Sequence, residues 1–441
     1  MIKIFVFLIS SVFIIFFKTV ALLSEPLEID ITQGKVEAIP IAITNFFSNN
    51  GHSFDLGKKI ANVVKNDLEN SGLFKNLDPK AFLQKPEELI QRPDFRDWRI
   101  IDAQILTEGT ISSDKDKIKL EVQLWDVYGE RRMLGLSLTS KEENWRRMAH
   151  ILSNKIYERI TGEPGYFNSR IAYIAESGPP DNRIKRLSVM DQDGANQSFL
   201  TNGENLVLTP RFSPEGSKIA YFSYQENTPS VYVYDLEKNT SYIMGSFKGM
   251  TFAPRFSPDG KIVVMSLSQN GSTNIYLYSL VEKKLTRLTK GRAIDTSPSF
   301  SPDGNHLVFN SDRSGKQSLY TMDINGKNIK RISFGKGRYA TPVWSPRGDY
   351  IAFTKFISGT FYIGLMKPDG SRERLIAKGY LTEGPTWAPN GRVLAFYRSE
   401  PRANGTEEVR IFTIDITGTR ERIMPIPHEA SDPSWGPSID G

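Results

Sequence analysis

Four histidines are the first residues in this 441-residue chain to test for chemistry, and they stand in unlike contexts. His52 falls in a loop, His150 in a helical run, His306 in a turn before a strand and His428 in a loop. A metal or acid-base set would need them to converge, and a lone histidine is more often structural. There is no cysteine, which removes thiol nucleophiles, Cys-ligated metals and disulfides together. No Gly-x-Ser-x-Gly elbow, Gly-Lys-Ser/Thr phosphate loop or dinucleotide glycine fingerprint occurs. Asp191-Gln192-Asp193-Gly194 opens like a calcium loop but lacks the later ligands and the closing Glu, so it reads as a turn. No catalytic residue, cofactor or metal ligand is therefore assigned, and the chain is expected to bind rather than to catalyse.

The elements that would position a binding surface are repeats. PRFSPEG (210–216), PRFSPDG (254–260), PSFSPDG (298–304), PVWSPRG (342–348), PTWAPNG (385–391) and PSWGP (433–437) place an aromatic at Phe212, Phe256, Phe300, Trp344, Trp387 and Trp435. The separations are 44, 44, 44, 43 and 48 residues. A period in the forties marks a propeller blade, one four-stranded sheet that cannot bury its faces alone. In each repeat the aromatic ends strand one, Ser-Pro-Asp-Gly turns the chain, and runs such as KIAYFS (218–223) and SVYVYD (230–235) form strands two and three. RLT (287–289) and RIS (331–333) are read as strand four. The motif aromatics are expected to pack between blades.

The two ends of the array complement each other. PSWGP has no second strand after it, and RIAYIA (170–175) has no turn motif before it. Pairing Trp435 with the Arg170 strand closes a ring of six and removes the open edges. All six segments leading into the aromatics then open at one mouth of the central channel: Leu208 and Thr209, Met250 to Ala253, Asp295 to Ser297, Tyr339 to Thr341, Thr382 to Gly384, and Glu429 to Asp432.

Ahead of the repeats the pattern is mixed. Residues 28–32 and 38–46 alternate like strands, and 55–70 place Leu56, Ile60, Val63, Val64 and Leu68 on one helical face before Gly72. Runs near 103–112, 117–127 and 132–139 read as a half-buried antiparallel sheet, and a helix over 142–160 closes it. The expected fold is an α+β domain with an antiparallel or mixed sheet, followed by an all-β six-bladed propeller. The expected divisions are a cleaved leader (1–21), an extended segment (22–34), the α+β domain (35–160), a linker (161–168) and the propeller (169–441). Lys3, the mostly apolar stretch Ile4 to Phe17, broken only by Ser10 and Ser11, and Thr19-Val20-Ala21 make the leader, whose 14-residue stretch falls short of the roughly 20 a spanning helix needs. Loss of Lys3 and Lys18 leaves 54 basic against 50 acidic residues, spread through the repeats, which argues against nucleic-acid binding.

The export signal, the helix NWRRMAHILSNKIYERITG, RIAYIA and six P-x-[FW]-S-P-D-G blades in this order resemble the TolB family of the bacterial Tol-Pal envelope system, with its WD40-like repeats, over essentially the whole chain. The resemblance implies a soluble periplasmic component that supports outer-membrane integrity and invagination during division. It implies two partners, the lipoprotein Pal at the propeller mouth and TolA at the segment following cleavage, with other outer-membrane or periplasmic proteins as further candidates. Matched blade by blade, the Pal contacts fall on Met250, Ala253 and Thr296. Thr251, Asp295, Ser297, Tyr339, Thr341 and Glu383 lie beside them. Met250 stands where the family commonly has histidine, so a hydrogen bond that histidine would offer is missing. The TolA segment falls on Leu22, Glu25, Leu27, Glu28, Ile29, Asp30 and Ile31. From the residues alone that stretch reads equally as an edge-adding strand or as an ordinary first strand. The competing readings are a propeller hydrolase or peptidase, which lacks a nucleophile motif, and a small-ligand-binding propeller, which lacks a cluster of mouth aromatics.

Overall fold

A computed structural model describes residues 37–439 apart from Gln91, Pro180, Glu226, Asn227, Ser246, Lys248 and Asn404. The leader and the segment 22–34, with its strand at 28–32, lie outside the described residues.

The first layer is built on β1 (Ile39–Ile43), α1 (Gly51–Ser71) and β2 (Phe74–Asn76). The Asn50 side chain accepts the N–H groups of His52 and Ser53, so α1 starts ahead of its apolar periodicity, and His52 lies in its first turn rather than in a loop. Gly72, at φ 80°, ends the helix by returning its N–H to Glu69. The helix buries Leu56, Ile60, Val63, Val64 and Leu68. After a short helix, α2 (Phe95–Ile100), come β3 (Ile105–Asp114), β4 (Lys117–Asp126), β5 (Arg131–Lys141) and α3 (Trp145–Thr161).

The sheet order is β2-β1-β3-β4-β5. β3, β4 and β5 are antiparallel, but β1 pairs in parallel with both β2 and β3. The sheet is therefore mixed, because α1 carries the chain across the sheet after β1, and a crossover yields a parallel neighbour. Residues 163–168 do not hang free between the domains: Tyr166 and Phe167 are fully buried. Their rings stack edge-on against Tyr157 of α3, and Tyr166 does the same against Trp435.

The remaining described chain forms six four-stranded antiparallel sheets. Blade one takes its innermost strand from the C-terminus: Glu429–Ser438 pairs with Ser169–Ser177, with Trp435 opposite Ile171. Blades two to six begin with Val207–Phe212, Met250–Phe256, Asp295–Phe300, Arg338–Trp344 and Leu381–Trp387. The fourth strands start and end earlier than RLT and RIS suggest, at Lys284–Arg287 and Lys330–Arg331. Past that point a hydroxyl replaces the ladder: Thr289 Oγ1 accepts the N–H of Ile275 at 3.0 Å, and Ser333 Oγ that of Leu319 at 2.7 Å.

Every innermost strand carries the same irregularity. Thr209, Ala253, Ser297, Thr341, Gly384 and Asp432 have φ of 48°, 51°, 53°, 45°, 65° and 50°, each directly before a proline. The register slips at that point in all six blades. These are β-bulges, which bend the strand and raise its twist. Each of the five non-glycine positions costs about 1–2 kcal/mol of left-handed strain that the surrounding sheet must hold.

Candidate functional site

The strand geometry assigns the channel two different mouths. One is ringed by the starts of the innermost strands, and the other by the Ser-Pro-Asp-Gly turns. The α+β domain packs on the turn side, where Asn390 Nδ2 donates to Pro164 O at 3.3 Å and Arg347 Nη1 meets Glu163 Oε1 at 3.0 Å. The strand-start mouth is on the other face of the disc, and the described residues of the first domain leave it free.

The residues expected at that mouth have different fates. Met250 is 43% exposed at the start of its strand, while Ala253, Ser297 and Thr341 are half-buried bulge residues whose backbone conformation sets the rim. Thr296 Oγ1 donates to Asn310 Oδ1 at 2.8 Å and stays half-exposed. Thr251, Asp295 and Tyr339 are buried. Asp295 receives both of its 3.0 Å bonds from Arg313 Nη2, and Tyr339 donates to Glu373 Oε2 at 2.8 Å with Lys355 Nζ 4.5 Å above its ring. These three support the rim from beneath. Glu383 accepts from Tyr397 O–H at 3.1 Å. Its burial pushes its carboxyl above the usual range, against that hydrogen bond, and the nearby Asp432 carboxylate adds to the rise.

The mouth has a feature the sequence reading did not pick out. Leu206, Met250, Ile294 and Tyr380, from four different blades, are all exposed at or just before the start of the innermost strand, Tyr380 at 57%. Together they make an apolar collar around the mouth, and exposed apolar clusters of this kind mark protein contact surfaces. The usable signal was positional: Leu206, Met250 and Ile294 each stand six residues before the motif aromatic of their repeat, and Tyr380 stands seven before Trp387. Beside the collar, between blades one and six, lies a charged cleft of about 690 Å³. Its charges are mutually satisfied, with Lys185 Nζ 3.0 Å from Glu176 Oε1, Arg402 Nη2 3.4 Å from Glu429 Oε1, and Arg183 also on Glu429.

The histidines do not meet one another, but His150 meets carboxylates. Its Nδ1 is 2.7 Å from Asp67 Oδ2 of α1, and its Nε2 is 4.0 Å from both Asp191 and Asp193 of blade one. The Asp191–Gly194 stretch is a turn, as its sequence suggests, and it is also a bolt between the domains, since Gln192 Nε2 donates to Asp67 Oδ1 at 2.9 Å and Arg146 pairs with Asp193. With Arg146 and the imidazole already answering these carboxylates, the group reads as an ion-pair network.

The fold and the site define a class: an α+β domain joined to a closed six-bladed propeller that presents an apolar-collared mouth. The family profile described as the TolB beta propeller domain matches residues 157–439, and the one described as the TolB amino-terminal domain matches residues 27–133. The Tol-Pal system protein TolB of Paramagnetospirillum magneticum is 60% identical over 415 residues, covering 93% of each chain. That of Pelagibacter ubique is 56% identical over 421 residues, covering 93% of this chain and 94% of the relative. The crystal structure of TolB from Acinetobacter baumannii matches with a TM-score of 0.81 at 28% identity, over 91% of this chain and 97% of that one. The chain belongs to the TolB family and is a component of the Tol-Pal system.

Proposed function

We propose that this protein is a non-enzymatic periplasmic adaptor that grips Pal with the propeller mouth and TolA with residues 22–34, supporting outer-membrane integrity and its invagination during division. The observation that carries the first half is the collar of Leu206, Met250, Ile294 and Tyr380 around a mouth that the α+β domain leaves open. A folded partner can cover that collar, and half-buried Thr296 and the bulge backbone at Ala253, Ser297 and Thr341 supply polar contacts inside it. Met250 contributes apolar area in place of a histidine's hydrogen bond. Among the described residues no nucleophile stands beside a base and an orienting group, which favours binding over hydrolysis.

Binding of purified Pal and TolA domains to the chain beginning at Leu22 tests the reading. Met250→Asp and Tyr380→Asp should each weaken Pal binding by about tenfold or more, since burying an unpaired carboxylate costs at least 1.4 kcal/mol. Deleting residues 22–33 should abolish TolA binding and leave Pal binding intact. TolA binding that survives the deletion would remove the tail's role, and turnover of peptide substrates would revive the hydrolase.

A further inference from the structure

The channel mouth on the turn side has a chemistry of its own. The residue before each motif aromatic lines a cavity of about 410 Å³, and around the ring these are Arg211, Arg255, Ser299, Val343, Thr386 and Ser434. The rest of the wall is aromatics, serines, prolines and one glycine, with no Asp or Glu among the described residues that line it.

Arg211 and Arg255 occupy the same register on adjacent blades, so two guanidiniums share the ring. Arg211 Nη1 donates to Pro210 O at 2.6 Å, but its buried Nε has no hydrogen-bond partner. The acid that favours Arg211's charge, Asp432, already accepts the N–H of Thr209 at 3.2 Å. Burial disfavours both guanidiniums, and the charge of Arg211 adds to the burden on Arg255. Arginine keeps its proton at any working pH, so this burden is not relieved by deprotonation and instead calls for counter-charge.

Three further donors face the same space. Ser434 Oγ accepts the N–H of Phe212 at 3.3 Å, Ser299 Oγ that of Trp344 at 3.3 Å, and Thr386 Oγ1 that of Trp435 at 3.0 Å. An oxygen that accepts from the backbone retains its own hydrogen to give. Five of the six ring positions are thus hydrogen-bond donors, spread around the channel rather than gathered on one side. A planar carboxylate offers two oxygens in one plane, whereas a tetrahedral oxyanion offers acceptors in several directions at once.

We propose that the turn-side mouth of the channel binds a small tetrahedral oxyanion of the phosphate or sulfate class, held between Arg211 and Arg255 and completed by the hydroxyls of Ser299, Thr386 and Ser434. The site lies at the opposite end of the channel from the collar, so its occupancy does not depend on the partner reading above.

Calorimetric titration of the full mature chain with inorganic phosphate and with sulfate, against sodium chloride at matched ionic strength, tests this. The expected result is saturable 1:1 binding, with a Tm raised by about 2 °C or more at a hundredfold excess over Kd. Both effects should vanish in R211Q/R255Q, whose Tm without anion should match or exceed that of the parent, because the like-charge repulsion is gone. If that pair fails to fold, R255Q alone should weaken binding by about tenfold, the loss of one charged hydrogen-bonding group. No saturable heat from the parent chain, or an equal response in the parent and R211Q/R255Q, would reduce the site to an ionic-strength effect and overturn the proposal.

Discussion

His150 is 3% exposed, and on its two sides stand Asp67 from α1 and Asp191 and Asp193 from blade one, with Arg146 also on Asp193 and Gln192 on Asp67. Burial opposes the imidazolium, but the three carboxylates outweigh it and hold the pKa above the ordinary histidine value. A raised folded-state pKa contributes stability that is fully present below about pH 6.5 and is lost as pH rises through the folded value. Asp191, raised chiefly by its own burial, acts in the same sense at lower pH, so the histidine is best read as pH rises above about 6.5. His150→Gln should cost about 3–5 kcal/mol at pH 6, the usual penalty for removing one partner of a buried pair, and less as pH rises. Urea midpoints of both proteins across that range give the measurement; parallel curves would mean that the imidazole is neutral throughout. In the sequence this residue was only a histidine on a helix, because its partners lie 83, 41 and 43 positions away and no local pattern joins them.

At the scale of elements, the blades were legible because their signal is repeated. The motif aromatic lands at the end of an innermost strand in blades two to six and within the C-terminal strand that closes blade one. Those aromatics do pack between blades, as Phe212 does against the cluster that joins blades one and two, and they also line the turn-side cavity. The parallel pairing of β1 was not legible, since alternation reveals a face but not a direction. Nor were the bulges, because Thr209, Ala253, Ser297 and Thr341 are not residues that announce a left-handed backbone; only the proline after each marks the place. The closing strand carries the strongest prediction at this scale. Trp435 is buried, its Nε1 donates to Ser169 Oγ at 2.9 Å, and its ring meets Tyr166. Trp435→Ala should cost about 3–5 kcal/mol in thermal or urea unfolding. Truncation at residue 428 should go further and yield self-associating protein in sedimentation, since it uncovers the edge of Ser169–Ser177. A monomeric truncation would show that the ring does not depend on its seal.

For the whole molecule, the decisive feature is that one core crosses the domain boundary. The cluster that contains Ile60, Leu68, Leu152 and Ile160 of the first domain continues through Tyr166 and Phe167 to Ile171, Val393, Ile411 and Trp435 of the propeller. Inter-domain contacts within a chain are often small and polar, which permits relative motion. Here the buried apolar continuity is reinforced by Glu163, whose Oε2 accepts from Arg392 Nε at 2.7 Å and whose Oε1 meets both Arg392 and Arg347. Burial would raise the Glu163 carboxyl, yet the hydrogen bonds from the two arginines win and hold it below the usual range. A depressed folded-state pKa contributes stability that is present above about pH 4.3 and is lost as pH falls through the folded value. Arg392 is itself buried, so the pair is costly to break from one side. The two domains should therefore unfold in a single calorimetric transition near neutral pH. Glu163→Gln should lower that transition by about 2–4 kcal/mol, because it strands the Arg392 charge at the boundary, and it should remove the share of the acid-side loss that Glu163 is expected to carry. Because the change falls on the coupling itself, it should also separate the endotherm into two steps. Two independent transitions in the unmodified protein would mean that the shared core does not bind the domains into one cooperative unit.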